Sequence, residues 1–299
     1  MPAMNIVGFL GLGVMGEPMA ARCRAAGLDL RVWNRSPGKA ASLSDAGATA
    51  CANPAEAARG AALLCLCLTD ATAVEAVMFG ADGAVGALAA DALVIDFSTI
   101  GPAATRQLAE RVKREAGASW LDCPVSGGVR GAVAGALTVF AGGSGGDLDR
   151  ARAVLDTVSA RVTHMGDIGA GQATKLSNQL IVSTTLLAIA EAIRLAERLG
   201  VDVASLPEAL KGGFADSAPL QIFGPRMAAS TDPGPAVSEL LTMAKDIAAI
   251  RAAGDEVGVA MPLIENVARL YAQIVDAGFG HEDLPALMHL YRGEESAHG

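Results

Sequence analysis

The stretch "NIVGFLGLGVMGEPMA", Asn5 to Ala20, constrains this chain more than any other. A short apolar run ends in three glycines, Gly11, Gly13 and Gly16, spaced G-x-G-x-x-G, and a helical pattern follows with Pro18 in its first turn. A proline there costs nothing, because first-turn N–H groups have no partner within the helix. In a strand-to-helix turn of this kind Gly11 permits the tight turn, Gly13 lets the backbone approach a pyrophosphate, and Gly16 allows close helix-to-strand packing. The helix N-terminus then faces the anion. Gly11, Leu12, Gly13, Val14, Met15 and Gly16 are therefore candidate dinucleotide-binding residues. Glycine supplies 35 of the 299 residues, so the spacing alone could be a turn that binds nothing. Its place between a strand pattern and a helix pattern is what gives it weight.

Apolar runs recur through the first half at Ile6–Leu10, Leu28–Trp33, Leu63–Leu68, Leu93–Phe97, Trp120–Val125 and Leu137–Ala141, with helical patterns such as Gly101–Gly117 between them. Strands alternating with helices of this length predict βαβ units and a largely parallel sheet. After about His164 the strand signal stops and helices are predicted, the longest over roughly 170–199. The expected organisation is α/β: a dinucleotide-binding domain over 1–165, then an all-α domain over 166–299. At 299 residues the chain is long enough for two cores.

About twenty residues beyond the glycines, where an acid usually meets the adenosine ribose, the chain reads "VWNRS". Asn34, Arg35 and Ser36 offer a fixed cation and two neutral hydrogen-bonding groups. That set suits a 2′-phosphate, so NADP is the expected cofactor, with NAD possible; Arg35 as a solvated loop residue is the alternative.

Two further stretches carry chemistry. In "LDCPVSGGVRGAVAGALTVFAGG", Leu121 to Gly143, Ser126 offers a hydroxyl and Gly127 and Gly128 offer unobstructed backbone N–H groups, a set able to hold a carboxylate. Taken alone it reads equally well as a turn. In "GDIGAGQATKLSNQ", Gly166 to Gln179, Lys175 and Asn178 lie three apart and share a helix face. A Lys in an apolar helix is expensive unless paired or functional, and desolvation is one way a Lys becomes a general acid or base near neutral pH. The other reading is a Lys that snorkels to solvent from the flank of the helix.

With these motifs in order, and "MAKD" at Met243–Asp246 after them, the chain resembles the β-hydroxyacid dehydrogenases along essentially its whole length. The resemblance implies a Rossmann-type doubly wound sheet joined by a long interdomain helix to a helical domain, and a homodimer or homotetramer. It implies Lys175 as the catalytic acid/base, Ser126, Gly127 and Gly128 as the anchor for a substrate carboxylate, and Asn178 as an orienting group. Lys245 would lie at the cofactor end of the cleft, and Leu68, Thr69, Ser98 and Thr99 would line the nicotinamide half. Two departures bear on substrate: Gln179 stands where 3-hydroxyisobutyrate enzymes commonly carry a second Asn, and Asn34 and Arg35 stand where they carry an acid. Both look more like the 2-hydroxy-3-oxopropionate (tartronate semialdehyde) reductase branch. The segment Leu210–Met227 is expected to shape the pocket.

Other classes fit less well. A net charge of -9 without clustered Lys and Arg argues against nucleic acid. Five cysteines match neither a disulfide framework nor a zinc spacing, which suits a reducing, cytoplasmic setting. His164, His281, His289 and His298 match no metal motif and are expected in surface or packing roles. No signal peptide is expected at the start, and the apolar run Leu180–Ile193 is too short to span a bilayer. An imine reductase or a noncatalytic NADP-binding module shares much of the pattern, but both generally lack a Lys at position 175.

Overall fold

In the computed structural model the described residues are 6–229 and 238–292. The chain divides into two compact units between Lys175 and Leu176, inside the long helix rather than at the 165/166 boundary read from the sequence. The loop Ala229–Ala236 falls, apart from its first residue, outside the described residues, as does His298.

The first unit holds nine strands among the described residues: β1 (Ile6–Leu10), β2 (Leu30–Trp33), β3 (Thr49–Ala50), β4 (Ala61–Leu66), β5 (Leu93–Asp96), β6 (Ser119–Asp122), β7 (Val125–Ser126), β8 (Leu137–Gly142) and β9 (Ser159–Gly166). Its helices are α1 (Gly16–Ala25), α2 (Ala41–Asp45), α3 (Pro54–Ala58), α4 (Ala71–Phe79), α5 (Pro102–Ala116), α6 (Gly128–Ala134) and α7 (Gly145–Val158). Helix α8 (Ala170–Arg198) begins in this unit and continues into the second.

The sheet runs β3-β2-β1-β4-β5-β6-β8-β7, with β9 beside β8. Strands β1 to β6 are mutually parallel, and β8 lies antiparallel to β6 and β7. Successive strand residues point to opposite faces, and both faces are covered. Val7, Phe9, Cys65, Ile95 and Leu121 pack with Met19 and Cys23 of α1 and Leu155 of α7. Leu64, Leu66, Val94 and Trp120 pack with Val74 and Met78 of α4 and Leu108 and Val112 of α5. Burial on both sides is why these strands read as unbroken apolar runs. Strand β9 is different: all eight of its residues are exposed or half-buried, so its sequence "SARVTHMG" carries no apolar run and was not expected as a strand.

The second unit is helical. After α8 come α9 (Leu206–Leu210), α10 (Ala218–Ala228), α11 (Leu240–Val257), α12 (Pro262–Ile274) and α13 (His289–Arg292). Leu186, Ala190 and Ile193 of α8 share its core with Phe223, Ile247 and Tyr271. Helix α8 is 29 residues long and, by length and composition alone, sufficient to cross a membrane. Its extent matches the helix expected over roughly 170–199, and its buried residues, Leu186, Ala190 and Ile193 among them, belong to the core of this unit. The Leu210–Met227 segment contains a helix start capped by Ser217, whose hydroxyl accepts from the Leu220 N–H at 3.2 Å.

Candidate active site

The reversal of strand order lies between β1 and β4, and ligands of open parallel sheets bind outside the carboxyl ends of the strands at such a point. The glycine turn follows β1 there. Gly11 has φ 99°, and a Cβ on it would lie 2.3 Å from the Cys67 carbonyl oxygen. A Cβ on Gly16 would lie 2.0 Å from the Gly11 carbonyl oxygen. Gly13 is opposite in character: a Cβ there meets nothing within 4 Å, so its backbone faces open space at the start of α1. That exposed backbone at a helix N-terminus fits a dinucleotide pyrophosphate.

Asn34, at the end of β2, does something the sequence did not reveal. Its Oδ1 accepts the Leu12 N–H at 2.9 Å, and its Nδ2 donates to the Ser36 carbonyl at 3.1 Å. It holds the glycine turn. Arg35 and Ser36 are exposed beyond it. Val14 is 76% exposed and Leu12 fully buried, so Leu12 contributes backbone and core contacts rather than a side-chain surface.

The ends of β4, β5 and β6 are tied by a buried polar network. The Leu68 N–H donates to the Ser98 hydroxyl at 2.9 Å, and the Ser98 N–H donates to Asp96 Oδ1 at 2.9 Å. Ser98 is therefore buried and internally engaged, whereas Thr69 is exposed and Thr99 half-buried. Asp96 is fully buried, its Oδ2 has no hydrogen-bond partner, and burial pushes its carboxyl up to about 7 despite hydrogen bonds from Ser98. Asp122, at the end of β6, accepts from the Gly169 N–H at 2.7 Å and the Gln172 N–H at 2.9 Å. Burial raises its pKa as well, with these backbone bonds opposing the shift. Gly171 sits in the same turn, where a Cβ would lie 2.3 Å from the Phe140 carbonyl oxygen. The glycines of "GDIGAGQ" are thus what allow α8 to start against β6 and β8.

Lys175 stands in the second turn of α8 and is 8% exposed. Burial of this degree decides against a side chain that snorkels to solvent. Ser126 closes β7 opposite Thr138 of β8, and Gly127 and Gly128 open α6 with φ 125° and 59°; the three are half-buried or exposed. In the second unit the half-buried Asn178 donates through Nδ2 to Gln179 Oε1 at 3.0 Å, and Gln179 donates to Asp246 Oδ2 at 2.7 Å. Lys245 Nζ lies 3.3 Å from Asp246 Oδ1. Gln179 and Asp246 connect two motifs that the sequence left separate.

Other features lie away from these groups. A hollow of about 420 Å³ is bordered by Arg31 and Arg59 but also by Asp29 and Glu56, so its charges balance. A second, of about 280 Å³, lies between α11 and α12. His164 Nε2 lies 2.7 Å from the Gly143 carbonyl, His289 stacks on Phe279, and His281 meets Glu239. Among the described residues no cluster of three His, Cys, Asp or Glu side chains could hold a metal, and the five cysteines are unbridged.

Comparison with known proteins bears on the family and the fold. The NAD binding domain of 6-phosphogluconate dehydrogenase matches residues 6–166, and the NAD-binding domain of NADP-dependent 3-hydroxyisobutyrate dehydrogenase matches 169–291. A 3-hydroxyisobutyrate dehydrogenase of Pseudomonas aeruginosa is 32% identical over 98% of this chain and 100% of its own length. The chain belongs to the β-hydroxyacid dehydrogenase family. A 2-hydroxy-3-oxopropionate reductase of Escherichia coli is 35% identical over 76% of this chain and 78% of its own. Among solved structures, the 3-hydroxyisobutyrate dehydrogenase of Mycobacterium tuberculosis with L-serine superposes with a TM-score of 0.87 at 31% identity, covering 97% of this chain and 100% of that one. As a β-hydroxyacid dehydrogenase, this chain is an NAD(P)-dependent oxidoreductase acting on the hydroxyl group of small hydroxy acids.

Proposed function

We propose that this dehydrogenase interconverts a small 3-hydroxy carboxylic acid and its semialdehyde with NADP(H), that 2-hydroxy-3-oxopropionate is the preferred carbonyl substrate, and that Lys175 is the general acid/base. The observation that carries the reading is the burial of Lys175 in a helix whose first turn is fastened by Asp122. A buried ammonium group is costly to maintain, and a catalytic task gives a reason for it.

The residues divide the work. Gly11 to Gly16 and Arg35 hold the dinucleotide, and the backbone of Leu68–Thr69 and Ser98–Thr99 borders its nicotinamide half. Bound NADP(H) supplies the hydride at nicotinamide C4. Ser126, Gly127 and Gly128 hold the substrate carboxylate through charge-assisted bonds, and Asn178 orients the reacting carbon. In reduction the Lys175 ammonium donates a proton to the carbonyl oxygen; in oxidation neutral Lys175 accepts the hydroxyl proton. Exposed Ile181 and Leu195 on α8 and Leu199 just after it, at 64%, 63% and 74%, support assembly into a homodimer or homotetramer, which sedimentation equilibrium reads directly.

A second substrate, 3-hydroxyisobutyrate, is favoured by the end-to-end match to the Pseudomonas relative. A panel of both substrates with both cofactors separates the two. For Lys175, substitution by Ala lowers kcat by roughly 10² to 10⁴, the usual contribution of a positioned acid/base, with NADPH binding retained. Lys175→Arg does not restore it, because a guanidinium keeps its proton. A Lys175→Ala enzyme with near-normal kcat and intact cofactor binding removes the acid/base role.

A further inference from the structure

Gln172 is completely buried one turn before Lys175, in the first turn of α8. Its amide makes three bonds to a single loop. Nε2 donates to the Ser98 carbonyl at 2.7 Å, while Oε1 accepts the Ile100 N–H at 3.2 Å and the Gly101 N–H at 3.4 Å. Its own backbone N–H is held by Asp122 Oδ2 at 2.9 Å. The loop it grips leads into α5, whose N-cap, Gly101, has no side chain to offer. Gln172 and its partners thus join three separate parts of the sequence: the end of β5, the end of β6 and the start of α8.

We infer that Gln172 is a positioning residue, fixing the register between the Ser98–Gly101 loop and the helix turn that carries Lys175. The inference rests on the acid/base reading of Lys175. With the amide in place, the loop after β5 and the turn bearing the amine move as one piece. Reacting groups must be aligned closely for hydride and proton to transfer together, and small misplacements from a distance are costly. An apolar side chain of the same size fills the space but leaves the Ser98 carbonyl and the Ile100 and Gly101 N–H groups without their partner. The loop then shifts to satisfy them, because unpaired buried backbone groups are expensive.

The test uses the full chain, NADPH and 2-hydroxy-3-oxopropionate, with Lys175→Ala measured first. A normal kcat there overturns the acid/base reading before Gln172 is touched. Gln172→Met is expected to lower kcat by about 10 to 100-fold, with NADPH affinity, read by cofactor fluorescence, unchanged within about threefold. Coupling then distinguishes positioning from general loosening. In the Lys175→Ala background Gln172→Met should cost little more, because residues that act as a unit are strongly non-additive. Gln172→Glu keeps the acceptor and replaces the donor, so its kcat should fall as pH rises and the carboxyl loses the proton needed at Ser98. This variant also serves if Gln172→Met does not fold. Equal fractional losses in both Lys175 backgrounds, a lowered melting temperature with wild-type kcat, or a Gln172→Glu profile parallel to wild type would each overturn the inference.

Discussion

The buried Asp96 makes stability depend on pH in a direction opposite to that of most carboxylates. Its side chain is fully buried, one oxygen has no partner, and its pKa is raised from 3.8 to about 7. Between those values the folded chain keeps a proton that the unfolded chain releases. Stability therefore falls as pH rises through the window, by up to about 1.4 kcal/mol per unit, and levels off above about 7. The full cost of ionising Asp96 in place is on the order of 4 kcal/mol, a large fraction of the 5 to 15 kcal/mol typical of a folded domain. Asp122 is shifted the same way by burial, so a variant is needed to isolate Asp96. Asp96→Asn keeps an acceptor for the Ser98 N–H and removes the titration. The chain has two Trp, Trp33 and Trp120, both in the first unit, so urea unfolding followed by their fluorescence reports on that unit. From pH 5 to 8 the wild type should lose about 3 kcal/mol relative to Asp96→Asn. A difference that stays constant over this range would mean that Asp96 is already ionised in the fold, and the reasoning from its burial would fail.

Three other outcomes follow from the site. Gly13→Ala should fold and melt like wild type, because its Cβ meets open space, yet weaken NADPH binding by about tenfold or more as the backbone loses its approach to the phosphates; Gly16→Ala, with a Cβ 2.0 Å from the Gly11 carbonyl, should lower the melting temperature. Calorimetry with and without NADPH checks both. Arg35→Ala should reduce the kcat/KM preference for NADP(H) over NAD(H) by about 10 to 100-fold, the value of a charge-assisted phosphate contact; a wild type that prefers NAD(H) refutes that role. Methyl esters of a good substrate should react far more slowly than the free acid if Ser126, Gly127 and Gly128 hold a carboxylate, and equal turnover refutes the anchor.

What could be read from the sequence was what physical chemistry makes local. Strands β1, β4, β5 and β6 are buried on both faces along nearly their whole length, β2 and β8 are buried on one face and half-buried on the other, and all six announce themselves as mainly apolar runs. The glycine turn is legible because its three positions fall within six residues, Gly11 and Gly16 under a steric demand and Gly13 with its backbone open to a ligand. Strand β9 is paired to β8 but exposed, and β3 and β7 are two residues long, so none leaves a periodic signal. Helix α10 has an internal proline, Pro225, which argues against a helix on sequence grounds. Site residues divided in the same way. Lys175 stood out as a charge in an apolar helix, but Gln172 has partners 71 to 74 positions away, and nothing near it in the chain identifies them. The missed signal was the acid at the end of a buried run, "LVID" and "SWLD": Asp96 and Asp122 each close a core strand where a charge has no local reason to be.

The bond between Asn34 Oδ1 and the Leu12 N–H has an evolutionary consequence. An aspartate at position 34 presents an equivalent oxygen to the same N–H and gives up only the exposed bond to the Ser36 carbonyl, so the glycine turn keeps its tether to Leu12 while the end of β2 acquires the negative charge that favours a ribose hydroxyl and repels a phosphate. Asparagine and aspartate codons differ by one base. The structural duty of residue 34 and its electrostatic preference are therefore separable by a single mutation, and a lineage can drift from one nicotinamide pool toward the other without passing through an intermediate whose glycine turn has come loose.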